Sequence, residues 1–238
     1  MTKKLINQNQ NYNNQFLESI NDDYSFDNNP INRLKKIIPQ NNYVDKNQYL
    51  IKLKNEINSI KNCKLKDNTN TIVFGDGNIH SEIMIVGGAP SEKESLSGKT
   101  FVGDDGLLLE KMLNAIEIIK KNIYSTYTIN FQPPLDRKPT AEEIRKYSIF
   151  LQKHISIINP KLIILLGSVA MEALTGLNSK ISLERGIWKE TIIKNKNYNF
   201  IITFDPSYLL RFPENKKYSW KDLKKIKKRI IDLNLNIQ

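Results

Sequence analysis

Residues 83–106 read IMIVGGAPSEKESLSGKTFVGDDG, and this stretch decides the fold class. Ile83 to Val86 is an apolar run of the length a buried strand needs, and Gly87-Gly88 closes it. Past the loop, Leu107 to Ile119 carries Leu108, Met112, Ile116 and Ile119 on one helical face. The unit is strand, loop, helix, and the chain repeats it. Ile123 to Ile129, rich in Tyr, Thr and Ile, reads as a second strand, and Pro133-Pro134 ends it. Thr140 with Glu143 three residues on is a capping box, which opens a helix through Ile144, Phe150, Leu151 and Ile155 to a stop at Pro160. Leu162 to Leu166 is a third strand, closed by Gly167 and followed by a helix from Val169 to Leu174; Phe200 to Phe204 is a fourth, ending in Asp205-Pro206-Ser207. Strands alternating with helices predict an α/β protein with a parallel sheet covered on both faces. In such sheets a ligand sits outside the carboxyl ends of the strands. Four loops should therefore meet at one crevice: Gly87 to Gly103, Phe131 to Thr140, Gly167-Ser168, and Asp205 to Arg211.

Upstream, Leu50, Leu53, Ile57 and Ile60 recur at helical spacing and predict one amphipathic helix from Tyr49 to Ile60. Residues 1–48 are Asn- and Gln-rich, with short apolar clusters at Phe16 to Ile20 and Leu34 to Ile38, and read as a partly disordered or helical extension. Residues 49–238 form the expected domain. Across its 238 residues the chain carries 36 Lys and Arg against 25 Asp and Glu, a formal charge of +11. That balance favours a polyanionic partner such as nucleic acid, although charge alone does not decide it. No apolar run approaches the roughly 18 residues of a membrane span, and no export signal is seen, so a soluble, cytoplasmic protein is expected. A single cysteine, Cys63, excludes an internal disulfide and a structural zinc site.

Gly98-Lys99-Thr100 after the first strand suggests a phosphate loop, but Lys93 stands where that motif needs a glycine, so nucleotide hydrolysis is not expected. Gly87 and Gly88 are equally explained as a tight exit from the sheet. In DPSYLLRFPENKKYSW (residues 205–220), Leu209 and Leu210 beside Arg211 either wedge into duplex DNA or pack beneath a helix start. From Lys216 to Ile230 eight basic residues accompany one acid, with Trp220, Leu223, Ile226 and Ile230 on one face.

In order along the chain, these segments resemble the uracil-DNA glycosylase superfamily, most closely its family 4 branch. VFGDGN precedes the first strand, and GGAPSEKESLSGKTFVGDDGLLLEKML stands for the family's GEAPG and GxPFVGxxGxLL. QPPLDRKPT stands for RPPGNRxPT, NPKLIILLGSVAMEALTG for PKxIxxLGxxAxxxLLG, ERGIW for RGxW, and DPSYLLRFPENKKYSW for HPSYLLRxPxxKxxxW. The resemblance implies a three-layer αβα sandwich around a four-stranded parallel sheet, and a DNA-repair enzyme that hydrolyses the N-glycosidic bond of a flipped uracil or other deaminated base. The alternative is an inactive DNA-binding relative. Extrusion is needed because the bond cannot be reached inside the stack.

By resemblance, the catalytic candidates are Glu94 and Asp205. Gly88, Ala89, Phe101 and Tyr127 would bind the base, with Phe101 as the stacking platform. Ser168, Ser207, Leu209, Leu210 and Arg211 would hold DNA. The chain departs from the pattern at several of these places: the family's pyrimidine-reading Asn falls at Tyr127, its His at Asp205, and the Glu after its first Gly at Gly88. Three of the four cysteines that hold the family's iron–sulfur cluster fall at Ile60, Phe131 and Tyr147, leaving Cys63, so a monomer without the cluster or any other cofactor is expected.

Overall fold

The computed structural model describes residues 45–235, apart from 61, 62, 64, 67, 68 and 70. The apolar clusters near Phe16 and Leu34 lie outside the described residues. The compact unit begins at Asp45.

Six strands form one sheet in the order β1-β3-β2-β4-β6-β5. They are β1 (Asp76–Gly77), β2 (Ile83–Gly87), β3 (Tyr124–Tyr127), β4 (Leu162–Leu166), β5 (Trp188–Ile193) and β6 (Lys196–Thr203). The inner four, β3, β2, β4 and β6, are parallel, and β1 and β5 close the edges antiparallel. The expected four-stranded sheet is thus the centre of a six-stranded one. The added edge β5 is half of a hairpin whose turn residues, Lys194 and Asn195, take φ of 47° and 61°. Two successive positive φ values make the kind of two-residue turn whose twist suits a hairpin.

Among the described residues eight helices flank the sheet: α1 (Lys46–Asn58), α2 (Glu92–Ser97), α3 (Gly103–Asn114), α4 (Ala141–Ile158), α5 (Gly167–Thr175), α6 (Ile181–Glu184), α7 (Pro206–Arg211) and α8 (Lys216–Asp232). Alternate residues of the buried strands feed two cores. Ile83, Ile85, Leu162, Ile164 and Ile201 face α3, α7 and α8 through Leu109, Leu113, Leu209, Leu223 and Ile226. Met84, Val86, Ile163, Leu165 and Ile202 face α4 and α5 through Leu151, Ile155, Ala170 and Met171. Both faces are covered, so the strands can be apolar at every position. No helix among the described residues is long and apolar enough to cross a membrane.

The capping box at Thr140 forms as expected: the Thr140 hydroxyl accepts from the Glu143 amide at 3.2 Å and the Glu143 carboxylate from the Thr140 amide at 2.7 Å. Two helices differ from the sequence reading. α3 stops at Asn114 because Glu117 turns to φ 65°, which buries Ile116 and leaves Ile119 47% exposed. In α8, Leu223, Ile226 and Ile230 are buried, whereas Trp220 is 44% exposed and lies off that stripe.

Candidate active site

Because β2, β3, β4 and β6 run parallel, their carboxyl ends share one edge, and the four segments singled out from sequence leave from it. Beyond β2 and β3 the backbone stays zipped: the Thr128 amide donates to the Gly87 carbonyl at 2.9 Å and the Ile129 amide to the Gly88 carbonyl at 3.0 Å. Gly88 and Ala89 are half-buried there, Gly88 against Val169 and Ala89 against the group around Cys63 and Tyr147.

Glu94 belongs to the short helix α2 and is 3% exposed. Its carboxylate accepts from the Ser91 amide at 2.9 Å, from the Ser91 hydroxyl, and from the Val102 amide at 3.1 Å. These bonds make it a strut across the loop, a fixed negative charge whose oxygens are already engaged. Phe101 follows with φ 50°. Its amide donates to the Tyr127 hydroxyl oxygen at 3.0 Å, and its carbonyl accepts from the Lys120 amine at 2.7 Å. Burial, then the charge of Glu94, hold the Tyr127 phenol well above its ordinary pKa.

Asp205 caps α7: one carboxylate oxygen accepts from the Ser207 amide at 2.9 Å and from the Ser207 hydroxyl at 2.7 Å, and Pro206 fills the first helical position. Gly167, just past the end of β4, has φ +87°, which a side chain would strain, and the Asp205 Cβ lies 3.2 Å from where a Cβ on Gly167 would stand, so these two strand ends meet closely. Desolvation raises the Asp205 pKa, Ser207 and Arg211 oppose the rise, and Glu94 adds to it. A third carboxyl, Asp105 in the first turn of α3, was not found from sequence. It is pushed up to about 6 by desolvation and then by Asp205, Glu94 and Asp104, with Lys93 opposing. Two acids at the start of a helix that opens from the same loop were the available signal. Glu94, Asp105, Asp205 and Tyr127 therefore sense one another's charge.

The segment after Asp205 is the helix α7 rather than an open loop, and this corrects one expectation. Leu209 turns into the core beside α3 at 1% exposure and is unavailable as a wedge, because adjacent helical residues point about 100° apart. Leu210 is 39% exposed and Arg211 is exposed. Phe212, which sequence reasoning passed over, is 45% exposed and ends a run of ring contacts, Phe204 to Tyr208 and Tyr208 to Phe212, each 4.9 Å between centroids. Ser207 is half-buried with its hydroxyl bonded to Asp205, and Ser168 is half-buried in the first turn of α5.

Arg185, from ERGIW, anchors this region. Its guanidinium donates to both Asp222 oxygens at 2.9 and 2.6 Å and to the Tyr218 carbonyl, and it lies 5.4 Å from both the Phe204 and Tyr218 rings. Asp222 also accepts from the Thr203 hydroxyl at 2.8 Å, so the end of β6 is fastened to α8. Lys216, Lys217, Lys221, Lys224, Lys225 and Lys228 of α8 stand exposed.

The fold and the site describe a doubly covered parallel-sheet protein with three carboxyls, Glu94, Asp105 and Asp205, close enough near its strand ends to act on one another's charge, and a basic helix fastened beside it. Residues 74–227 match the model of the uracil DNA glycosylase superfamily, and the chain belongs to that superfamily. It is similar to the type-4 uracil-DNA glycosylase of Thermotoga maritima, 36% identical over 154 residues that cover 64% of this chain and 79% of that one. The type-4 uracil-DNA glycosylase of Sulfurisphaera tokodaii is 35% identical over 190 residues, covering 76% and 85%. That of Archaeoglobus fulgidus is 33% identical over 175 residues, covering 72% and 88%.

These relatives correct the cofactor expectation. They are of the type-4 class, the iron–sulfur branch, and one cysteine does not establish a lost cluster, so the chain is not assigned as cofactor-free. The four positions in question do come together: Cys63, Phe131 and Tyr147 share one buried group, and Ile60 packs on it. The Cys63 sulfur lies 3.3 Å from the Tyr147 hydroxyl, and the Phe131 ring meets Tyr147 edge-on at 6.5 Å. A single thiol among packed rings does not fit a cluster held by four thiolates. Among the described residues, no three His, Cys, Asp or Glu side chains are grouped to hold a metal.

Proposed function

We propose that the chain is a DNA N-glycosylase acting in repair, which hydrolyses the bond between deoxyribose and an extruded uracil or other deaminated base. The observation that carries this reading is the setting of Asp205. By the resemblance it stands where the family has a histidine, and desolvation raises its pKa, with Glu94 adding to the rise and Ser207 and Arg211 opposing it. As C1′–N1 breaks, the electron pair stays on the base, and a neutral carboxylic acid donates toward the base oxygen where a carboxylate would repel it. Glu94, its oxygens tied to backbone amides, supplies a fixed negative charge for the oxocarbenium-like sugar. Water then adds to C1′, and Asp105 in its ionised form takes the proton that water gives up. Leu210, Arg211, Phe212 and the lysines of α8 offer an aromatic and cationic surface to the DNA strand.

A second reading, a DNA-binding relative without excision, is favoured by one observation, the packing of the Tyr127 ring directly on Phe101. One experiment separates the two: incubation of the full chain with oligonucleotides carrying uracil or hypoxanthine, single-stranded and duplex, followed by alkali to reveal abasic sites. The enzyme reading expects cleavage, reduced roughly 10²–10³-fold by Asp205→Ala as for loss of one charge-stabilising donor. It also expects Asp205→Asn, a permanent donor, to retain activity at alkaline pH. Binding with no abasic product on any substrate establishes the second reading.

A further inference from the structure

Phe101 and Tyr127 are 4% and 5% exposed, and their ring centroids lie 4.7 Å apart with the planes tilted by 39°. A base inserted between two rings needs two stacking gaps, ~7 Å in all at about 3.4 Å each. Only one gap is present. Both rings also lie on the bare backbone of Gly87: a Cβ there would stand 2.7 Å from Cδ1 and Cε1 of Tyr127 and 2.9 Å from Cζ of Phe101. The Tyr127 hydroxyl oxygen, meanwhile, takes the Phe101 amide.

We infer that the Tyr127 phenol is an internal stand-in for the extruded base: it occupies the stacking place on Phe101, and a pyrimidine enters only when this ring leaves. The inference rests on the reading of Phe101 as the base platform. It makes Tyr127 a specificity-determining residue. A phenol and a pyrimidine are both six-membered flat rings, so one fills the other's place, and the exchange forfeits the Tyr127–Phe101 contact and the hydrogen bond to the Phe101 amide. A ring-open state populated at about 0.1–10% weakens the apparent affinity for a base by the inverse of that fraction, roughly ten- to a thousandfold.

The test is calorimetric titration of the full chain with free uracil, which reports on the pocket without requiring catalysis. Tyr127→Ala and Tyr127→Asn, each checked for folding by circular dichroism, are expected to bind uracil at least about tenfold more tightly than the wild type. Phenol should compete with uracil for the Tyr127→Ala protein, since it restores the missing ring. Equal uracil affinity in wild type and folded variants overturns the inference, and so does a folded variant that takes up neither uracil nor phenol. Should truncation unfold the chain, Tyr127→Phe decides. It keeps the ring but loses the hydrogen bond to the Phe101 amide, so it is expected to bind uracil more tightly than the wild type, by less than about tenfold, and an unchanged affinity overturns the inference. A Tyr127→Ala protein that binds uracil and phenol yet excises nothing from DNA upholds this inference and counts against the glycosylase reading. A wild type that excises uracil and binds the free base as tightly as the variants does the reverse.

Discussion

Replacing Asp105 by asparagine should stabilise the protein at neutral pH and do nothing in acid. Desolvation, and then the neighbouring carboxylates, push the Asp105 carboxyl up to about 6 from its ordinary 3.8. Between those values the native state holds a proton that the unfolded chain has released, so stability falls as pH climbs through the window, and the full cost is present above pH 6. Two units at 1.36 kcal/mol each give an upper bound of about 3 kcal/mol. Asp105 is partly exposed, and solvent screening brings this to about 1–2 kcal/mol. Asparagine keeps the shape without the charge. Urea unfolding at pH 7.5 should therefore show Asp105→Asn more stable than wild type by about 1–2 kcal/mol, with a Tm higher by roughly 2–8 °C. The difference should close by pH 4, where the wild-type carboxyl is protonated in the fold. Equal stability at pH 7.5, or a gap of the same size at both pH values, would refute the argument that Asp105 is held among like charges.

His154 tests the opposite sign. Burial lowers its pKa to about 3, with the ring stacked on Phe74 at 4.6 Å and bonded to the Tyr124 hydroxyl at 2.8 Å, so its contribution is intact above pH 6.5 and declines as pH falls below it. Between pH 6.5 and 4.5 the wild type should lose about 2 kcal/mol more than His154→Gln, read from denaturant midpoints across that range. Arg185→Ala leaves the Asp222 carboxylate, 1% exposed, without its partner and should cost about 3–5 kcal/mol in chemical denaturation; a loss below 1 kcal/mol would mean that α8 is held by its apolar face alone. Arg211→Ala should reduce the slope of log affinity for DNA against log salt by about one. Phe212→Ala, by contrast, should cost about 1–3 kcal/mol of binding at an unchanged slope, and fluorescence anisotropy across a salt series distinguishes a phosphate contact from a stacked ring.

The central strands were legible because they are buried on both faces: Ile83 to Val86 and Leu162 to Leu166 have no polar position to blur the run. Local chemistry was legible where it is self-contained, as in the Thr140–Glu143 box. The edge hairpin was not, since Lys194 and Asn195 lack the glycine that usually marks such a turn and β5 alternates exposed residues. Leu209 and Leu210 are indistinguishable in sequence, and only the helical rotation after Pro206 sends the first into the core and the second to solvent. The site divides in the same way. Asp205 could be aligned with a motif position, yet the upward push on its pKa comes from its burial, with Glu94 of another segment adding to it, and no motif spells that out. Tyr127 could be seen as a departure, but its ring lies on a residue 26 positions away, a relation that no local spacing encodes.

The clamp between Arg185 and Asp222 links two tasks of different kinds. α8 carries the lysines that would bear tension from a polynucleotide, and the clamp joins that helix to Thr203, two residues before Asp205. Pulling on the helix thus loads the strand end that aims the carboxyl, whereas a helix held only by Leu223, Ile226 and Ile230 could slide under the same force, because apolar contacts have no direction. The helix and the strand end are thus joined through one carboxylate, Asp222, held from one side by Thr203 and from the other by the Arg185 guanidinium.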